Sequence, residues 1–343
     1  MRLVRTRDDT RDGDETPAPG ASPQGGEGIK AETVGYYDLP VVKRPVWTWE
    51  VPVYFWLGGI AGGAFATAVV ADLVGAEDDR RAAGRGFYVA AAAALACPPL
   101  LIADLGKPER FHHMLRIFKP LSPMNLGAWA LAVFSAAAVA RAGAVAGHRG
   151  QLPPALGALA RLLPRRLLDL GGLASGMVLA GYTGVLLGAT NVPLWAKSKL
   201  LGGVFTASSA ASGSAAVTVA AMQGRVSSET LHKLGTLESV ATLAELGLLT
   251  AYVNQSGRTA EPLTKAGAGL PFWAGAIGLG VVAPLLLHRA ARGRHGRVLR
   301  SLTLAAALST LAGSLALRWS VVEAGKQSSS DQAASFDLSR ADA

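Results

Sequence analysis

Eight long apolar blocks interrupt this sequence, and they constrain its fold more than any other feature. They lie at residues 52–74, 84–103, 126–146, 168–189, 200–222, 236–253, 267–287 and 302–317. About 20 apolar residues in a helix cross the hydrocarbon core of a bilayer, and lipid offers backbone amides no partner but each other. Each block therefore predicts a transmembrane helix, the last being the shortest and least apolar. Composition agrees: half of the 343 residues are apolar and 17% are charged, whereas a soluble domain needs a charged skin. The predicted fold class is all-α integral membrane, a bundle of about eight transmembrane helices with almost no room for a soluble catalytic domain. The first block starts some fifty residues in and is too long for a cleavable signal peptide, so it should remain as an anchor.

The ends differ from the middle. Residues 1–38 are rich in Arg, Asp, Gly and Pro without apolar periodicity, and residues 327–343 are similarly polar. Such composition cannot repay the entropy of ordering. The expected organisation is a disordered tail at 1–45, a membrane domain at 46–322 and a second disordered tail at 323–343. No internal repeat or heptad run is visible. Loops after the odd-numbered blocks carry Arg80, Arg81, Arg85, Arg149, Arg161, Arg165, Arg166, Arg225, Lys233, Arg289, Arg292, Arg294, Arg297 and Arg300. Loops on the other face carry the smaller set Lys107, Arg110, Arg116, Lys119, Lys197, Lys199, Arg258 and Lys265. The richer set predicts cytoplasmic loops and extracytoplasmic termini in the cell membrane. The net charge of +9 falls mostly on these loops, where anionic lipid headgroups attract it, which argues against nucleic acid as a partner.

Redox ligands are sparse. Cys97 is the single cysteine, and an iron–sulfur cluster takes about four thiolates, so no cluster is expected in this chain. His112, His113, His148, His232, His288 and His295 fall in loops or at block ends, which argues against a buried bis-histidine haem. Zinc motifs, phosphate-cradling loops and a nucleophile elbow are missing, and no metal site is expected.

Polar residues within or beside apolar blocks are costly, so they are the next place to look. Trp47-Thr48-Trp49-Glu50-Val51-Pro52-Val53-Tyr54 runs into Gly58-Gly59-Ile60-Ala61-Gly62-Gly63. An aromatic belt and a close-packing glycine face explain most of that stretch, but not Glu50. Asp104-Leu105-Gly106-Lys107-Pro108-Glu109-Arg110-Phe111 ends the second block, and its spacing alone also suits an ordinary solvated loop. A third stretch combines Gly181-Tyr182-Thr183-Gly184, Pro193-Leu194-Trp195 and Ser208-Ser209-Ala210-Ala211-Ser212-Gly213. Tyr182 would sit about two turns below the surface, where a phenol needs a partner, if only a backbone carbonyl.

These stretches, in this order and on these helices, resemble the NrfD/PsrC family, the integral membrane subunits of polysulfide reductase-type molybdoenzyme complexes. The likeness runs from Trp47 to about Gly213, with a matching acidic sixth block. The charged loop at 104–111 is its most specific part. The N-terminal tail and the basic segment after the seventh block lie outside it. The resemblance implies a membrane anchor that handles quinone, menaquinone or ubiquinone. It also implies docking of a ferredoxin-like iron–sulfur subunit, itself bound to a molybdopterin oxidoreductase subunit. On that basis Tyr182 is the expected hydrogen-bond donor to the quinone. Asp104 and Glu50 would orient it or relay protons, and Ser208 belongs to the same candidate site. Lys107, Glu109 and Arg110 are expected at the contact with the partner.

In the sixth block Glu238 and Glu245 lie seven residues apart, stacking on one helix face about 10 Å from each other with Thr242 between them. They are candidate proton-relay groups. The blander expectation pairs Glu238 with a loop Arg or Lys and gives Glu245 a neighbouring hydroxyl. A secondary transporter is the competing function class, but such proteins show internal repeats and interrupted helices, which are not visible here. A purely structural anchor is the other alternative. The terminal substrate belongs to another chain and is not readable from this one.

Overall fold

The computed structural model describes residues 45–105, 107–265 and 269–331. The proposed tail at 1–45 lies almost wholly outside the described residues, as does 332–343. Among the described residues there is no strand, and eight helices are long and apolar enough to cross a membrane. They are α1 (Glu50–Val74), α2 (Glu77–Asp104), α3 (Pro123–His148), α4 (Arg165–Gly188), α5 (Leu201–Met222), α6 (Ser228–Ser256), α7 (Pro271–Ala291) and α8 (Gly296–Ser328). Each contains one predicted block apart from end shifts, the largest at α8.

Successive helices run in opposite directions, so the bundle has an Asp104 end, where α1 begins and α2 finishes, and an Asp79 end. Two helix starts carry side-chain caps. Asp79 accepts the Ala76 N–H at 2.9 Å, and Ser227 accepts the Thr230 N–H at 3.1 Å. Gly257 closes α6 with a φ of 53°, a conformation that costs glycine least. The first twelve residues of α7 are wound as a π-helix before α geometry resumes at Ala283.

α1 is the central helix, packed against α2, α4, α5 and α8. Its glycines explain how. Gly58 and Gly62 face α4: a side chain at Gly62 would overlap the Gly176 carbonyl. Gly59 and Gly63 face the other way, so a Cβ at Gly59 would fall 2.5 Å from Arg318 Nη2, and one at Gly63 would overlap the Ser209 carbonyl. Small residues let backbones touch where lipid supplies no hydrophobic drive. The doubled glycines thus give α1 two close-packing faces, one against α4 and one against α5 and α8.

α8 corrects the expected C-terminal boundary. Composition puts the tail from 323, yet the helix continues through Ser328 and is packed there. Ser328 accepts the Leu194 N–H at 3.1 Å, and the Trp195 indole donates to the Val321 carbonyl at 2.9 Å. Trp195 also stacks on Trp47 with centroids 5.3 Å apart, while Tyr252 donates to the Leu194 carbonyl at 2.7 Å. The Pro193-Leu194-Trp195 turn is therefore a packing plug joining four segments, and it holds a polar helix end that composition alone would release.

Candidate functional site

At the Asp104 end the structure gathers residues from α1, α2, α3 and α4. Thr48 donates to the Glu50 carboxylate, and the same hydroxyl lies 3.5 Å from Asp104 Oδ1. The Tyr182 phenol, nine-tenths buried, donates to the Pro123 carbonyl at the start of α3. Its ring fills the space that a side chain at Gly127 would occupy. Tyr54, buried on α1 beside Phe55, and Cys97 on α2 lie within electrostatic range of one another, and Tyr54 is also in range of Tyr182. Two phenols are thus enclosed near a pair of carboxylates at the mouth. Tyr54 lies in the aromatic stretch of the sequence, but nothing there singles it out, because its distance from Tyr182 depends on helix packing.

The loop after α2 is open. Lys107, Glu109 and Arg110 are exposed around a single 3₁₀ turn at Pro108–Arg110. Among the described residues no ion pair involves any of these three. Phe111, Ile117, Phe118 and Leu121 are exposed on the same connection, beside Arg116 and Lys119, and Met124 is exposed in the first turn of α3.

Ser208 sits elsewhere. It is fully buried on α5, where it accepts from Arg318 Nη1 at 3.1 Å and lies close to Glu245. Next to it, Ser209 lies 3.4 Å from the Ala180 carbonyl, two residues before Tyr182 on α4. Arg318 is the largest residue missed from sequence. Its guanidinium, wholly buried, donates to the carbonyls of Phe55 (3.1 Å) and Ser314 (2.9 Å) and to the hydroxyls of Ser208 and Ser209 (3.0 Å). Four of its five N–H donors are satisfied by neutral oxygens. Glu245 supplies a countercharge within electrostatic range but outside ion-pair contact.

Glu238 departs from the expected pairing with a loop Arg or Lys. It is fully buried, Thr310 of α8 donates to its Oε1 at 2.6 Å, and His288 Nε2 lies 3.2 Å from its Oε2. That last pair faces without hydrogen-bond alignment, and neither atom has another hydrogen-bond partner. His288, placed at a block end by sequence, lies in the last turn of α7 and is buried. The helix runs four residues past the end of its apolar block. Thr242, between the two carboxylates, is buried with an unpartnered hydroxyl.

A second buried arginine lies toward the Asp79 end. Arg141 of α3 donates to Asp72 of α1 and Asp169 of α4, both at 2.6 Å, and stands 4.1 Å from the Phe87 ring centroid. Seven residues after Asp72, Asp79 binds Lys233 at 2.8 Å and Thr230 at 2.6 Å, tying α2 to α6.

Comparison with known proteins agrees with this architecture. The profile of the family described as "Polysulphide reductase, NrfD" matches residues 40–328. The C subunit of polysulfide reductase from Wolinella succinogenes is 28% identical over 306 residues, covering 82% of this protein and 94% of the relative. Protein NrfD of Escherichia coli K12 is 25% identical over 309 residues, covering 82% and 95%. With eight apolar helices, the distinctive charged loop after α2 and a match across nearly all the described residues, this multi-pass membrane protein belongs to the NrfD family.

Proposed function

We propose that the protein is the quinone-handling membrane subunit of an oxidoreductase complex, exchanging electrons between a partner iron–sulfur subunit and menaquinone or ubiquinone. One observation carries the reading: at the Asp104 end Glu50 and Asp104 meet around Thr48, and Tyr54, one turn along α1 from Glu50, lies within electrostatic range of Tyr182. A quinone head group takes a hydrogen-bond donor at each carbonyl and two protons on reduction. Tyr182 holds its proton against the Pro123 carbonyl, a bond for which a quinone oxygen would compete. Asp104 and Glu50 share Thr48 and can pass protons between the mouth and solvent.

The exposed Lys107, Glu109 and Arg110 and the neighbouring Phe111, Ile117 and Phe118 form the surface for a ferredoxin-like iron–sulfur subunit, which in turn carries a molybdopterin oxidoreductase. The Wolinella relative is by name one lettered subunit of a reductase, which supports a multisubunit setting. Within this reading the termini face outward, and Glu238, Thr242 and Glu245 relay protons along α6 from the Asp79 end toward the quinone.

The test is Tyr182→Phe in the assembled complex. Quinone-linked turnover should fall at least tenfold with a raised KM, while soluble-subunit turnover with an artificial electron donor stays unchanged. Parental quinone kinetics would remove Tyr182 from the site.

A further inference from the structure

A cavity of about 150 Å³ opens at the Asp79 end between α6, α7 and α8. His232, Thr236, Ser239, His288, Arg292 and Thr303 give it one polar wall, and Leu231, Val240, Leu243 and Ala291 an apolar one. At roughly 30 Å³ of liquid volume each, it has room for several waters. Its inner wall is the His288 imidazole, and Glu238 stands directly behind that ring, 3.2 Å away. Gly235 makes this arrangement fit, because a Cβ there would lie 2.8 Å from His288 Nδ1. Beyond Glu238 come Thr242 and then Glu245, which is about 10 Å along the helix from Glu238. Three buried polar atoms on this line lack a hydrogen-bond partner: His288 Nε2, Glu238 Oε2 and Thr242 Oγ1. Buried polar groups are rarely left unsatisfied, so this line of atoms, two of which face each other across 3.2 Å, needs an explanation beyond packing.

We propose that this cavity is the inlet for protons drawn from the Asp79 side, and that His288 loads them onto Glu238. The inference rests on the relay reading above and names its mouth and first carrier. A proton arrives from the cavity at Nδ1, beside Gly235, while the Nε2 proton passes to Glu238 Oε2. The ring ends as the other neutral tautomer, Glu238 becomes a neutral acid, and no electron moves. Imidazole is suited to this exchange because its unperturbed proton affinity lies near neutral pH. The charged and titratable groups around His288 are His232 on α6, Arg292 after α7 and Glu238, while α8 presents Thr303 and Thr310. Glu238 keeps the Thr310 hydrogen bond to Oε1 in either protonation state, leaving Oε2 free to gain and lose the proton.

The experiment uses the assembled complex in closed vesicles of known sidedness, with a pH-sensitive dye inside. His288→Gln should lower the pH change per quinone turnover at least fivefold and flatten its dependence between pH 6 and 8. Ser239→Cys, made with Cys97→Ala, keeps His288 intact. A membrane-impermeant cationic thiol reagent should modify it from the Asp79 side alone and lower the pH change as His288→Gln does. An unreactive Ser239→Cys, or a full pH change in His288→Gln, would overturn the inlet. Glu245→Gln separates the two ideas. If it alone abolishes the pH change, the relay stands and draws its protons elsewhere. If Glu245→Gln also behaves as the parent, relay and inlet fall together.

Discussion

Arg141 and Arg318 are both buried in helices long enough to cross a membrane, yet their charges are met in opposite ways. Arg141 is clamped between two carboxylates, Asp72 and Asp169, each at 2.6 Å. Arg318 is surrounded by neutral oxygens, and its countercharge, Glu245, stands off. In a low dielectric, direct ion pairs are strong but rigid, and breaking one strands the remaining charges. Neutral acceptors instead satisfy the guanidinium whatever the proton on Glu245 does. The contrast teaches that a buried arginine among carboxylates ties helices together, whereas one among hydroxyls leaves a neighbouring carboxylate able to change charge. Arg141 is accordingly a strut across α1, α3 and α4, and Arg318 sets the field around Glu245.

The largest effect expected from this contrast is on stability. Arg141→Met leaves Asp72 and Asp169 uncompensated and should cost about 3–5 kcal/mol in unfolding from mixed micelles. Adding Asp72→Asn and Asp169→Asn should recover at least half of that loss. Equal stability of Arg141→Met and the parent would break the strut assignment.

Arg318→Gln should cost less, about 1–3 kcal/mol, because it forfeits hydrogen bonds to neutral groups rather than close ion pairs. Its stronger signature should be functional, with the pH change per turnover falling as in Glu245→Gln. A stability loss matching that of Arg141→Met would erase the distinction between the two arginines.

The smallest effect on the fold is expected at Arg110, which is exposed and makes no ion pair among the described residues. Arg110→Glu should shift stability by no more than about 0.5 kcal/mol. It should nevertheless release the soluble subunits from membranes, and unaltered co-purification would remove this loop from the partner contact.

The number and order of helices were legible because lipid makes an apolar block and a helix nearly the same statement. Helix ends were less so. The last eleven residues of α8 are held by Trp195 and Leu194, a tertiary contact that hydropathy does not register. The aromatic, charged and small-residue stretches identified the family, and Glu50 and Asp104 meet around Thr48 as a shared face would suggest. Ser208 lies against Arg318, a contact that glycine spacing does not show, because it gives which positions share a face of α1 without giving which helix each face meets. Arg141, inside the third block, carried a readable signal in the cost of a charge there. Its carboxylate partners are on two other helices and needed the packing to be found. Arg318 and His288 each stood one residue beyond a predicted block, where a charge looks like an ordinary flank.

The central claim is that quinone is handled at the Asp104 end of α1, α2 and α4. It is tested most directly by a photoreactive quinone analogue applied to the assembled complex in membranes, followed by peptide mapping. The account predicts saturable labelling of peptides containing Tyr54, Asp104 or Tyr182, displaced by excess natural quinone. Displaceable labelling confined to the α6–α7 peptides, with none on α1, α2 or α4, would contradict it.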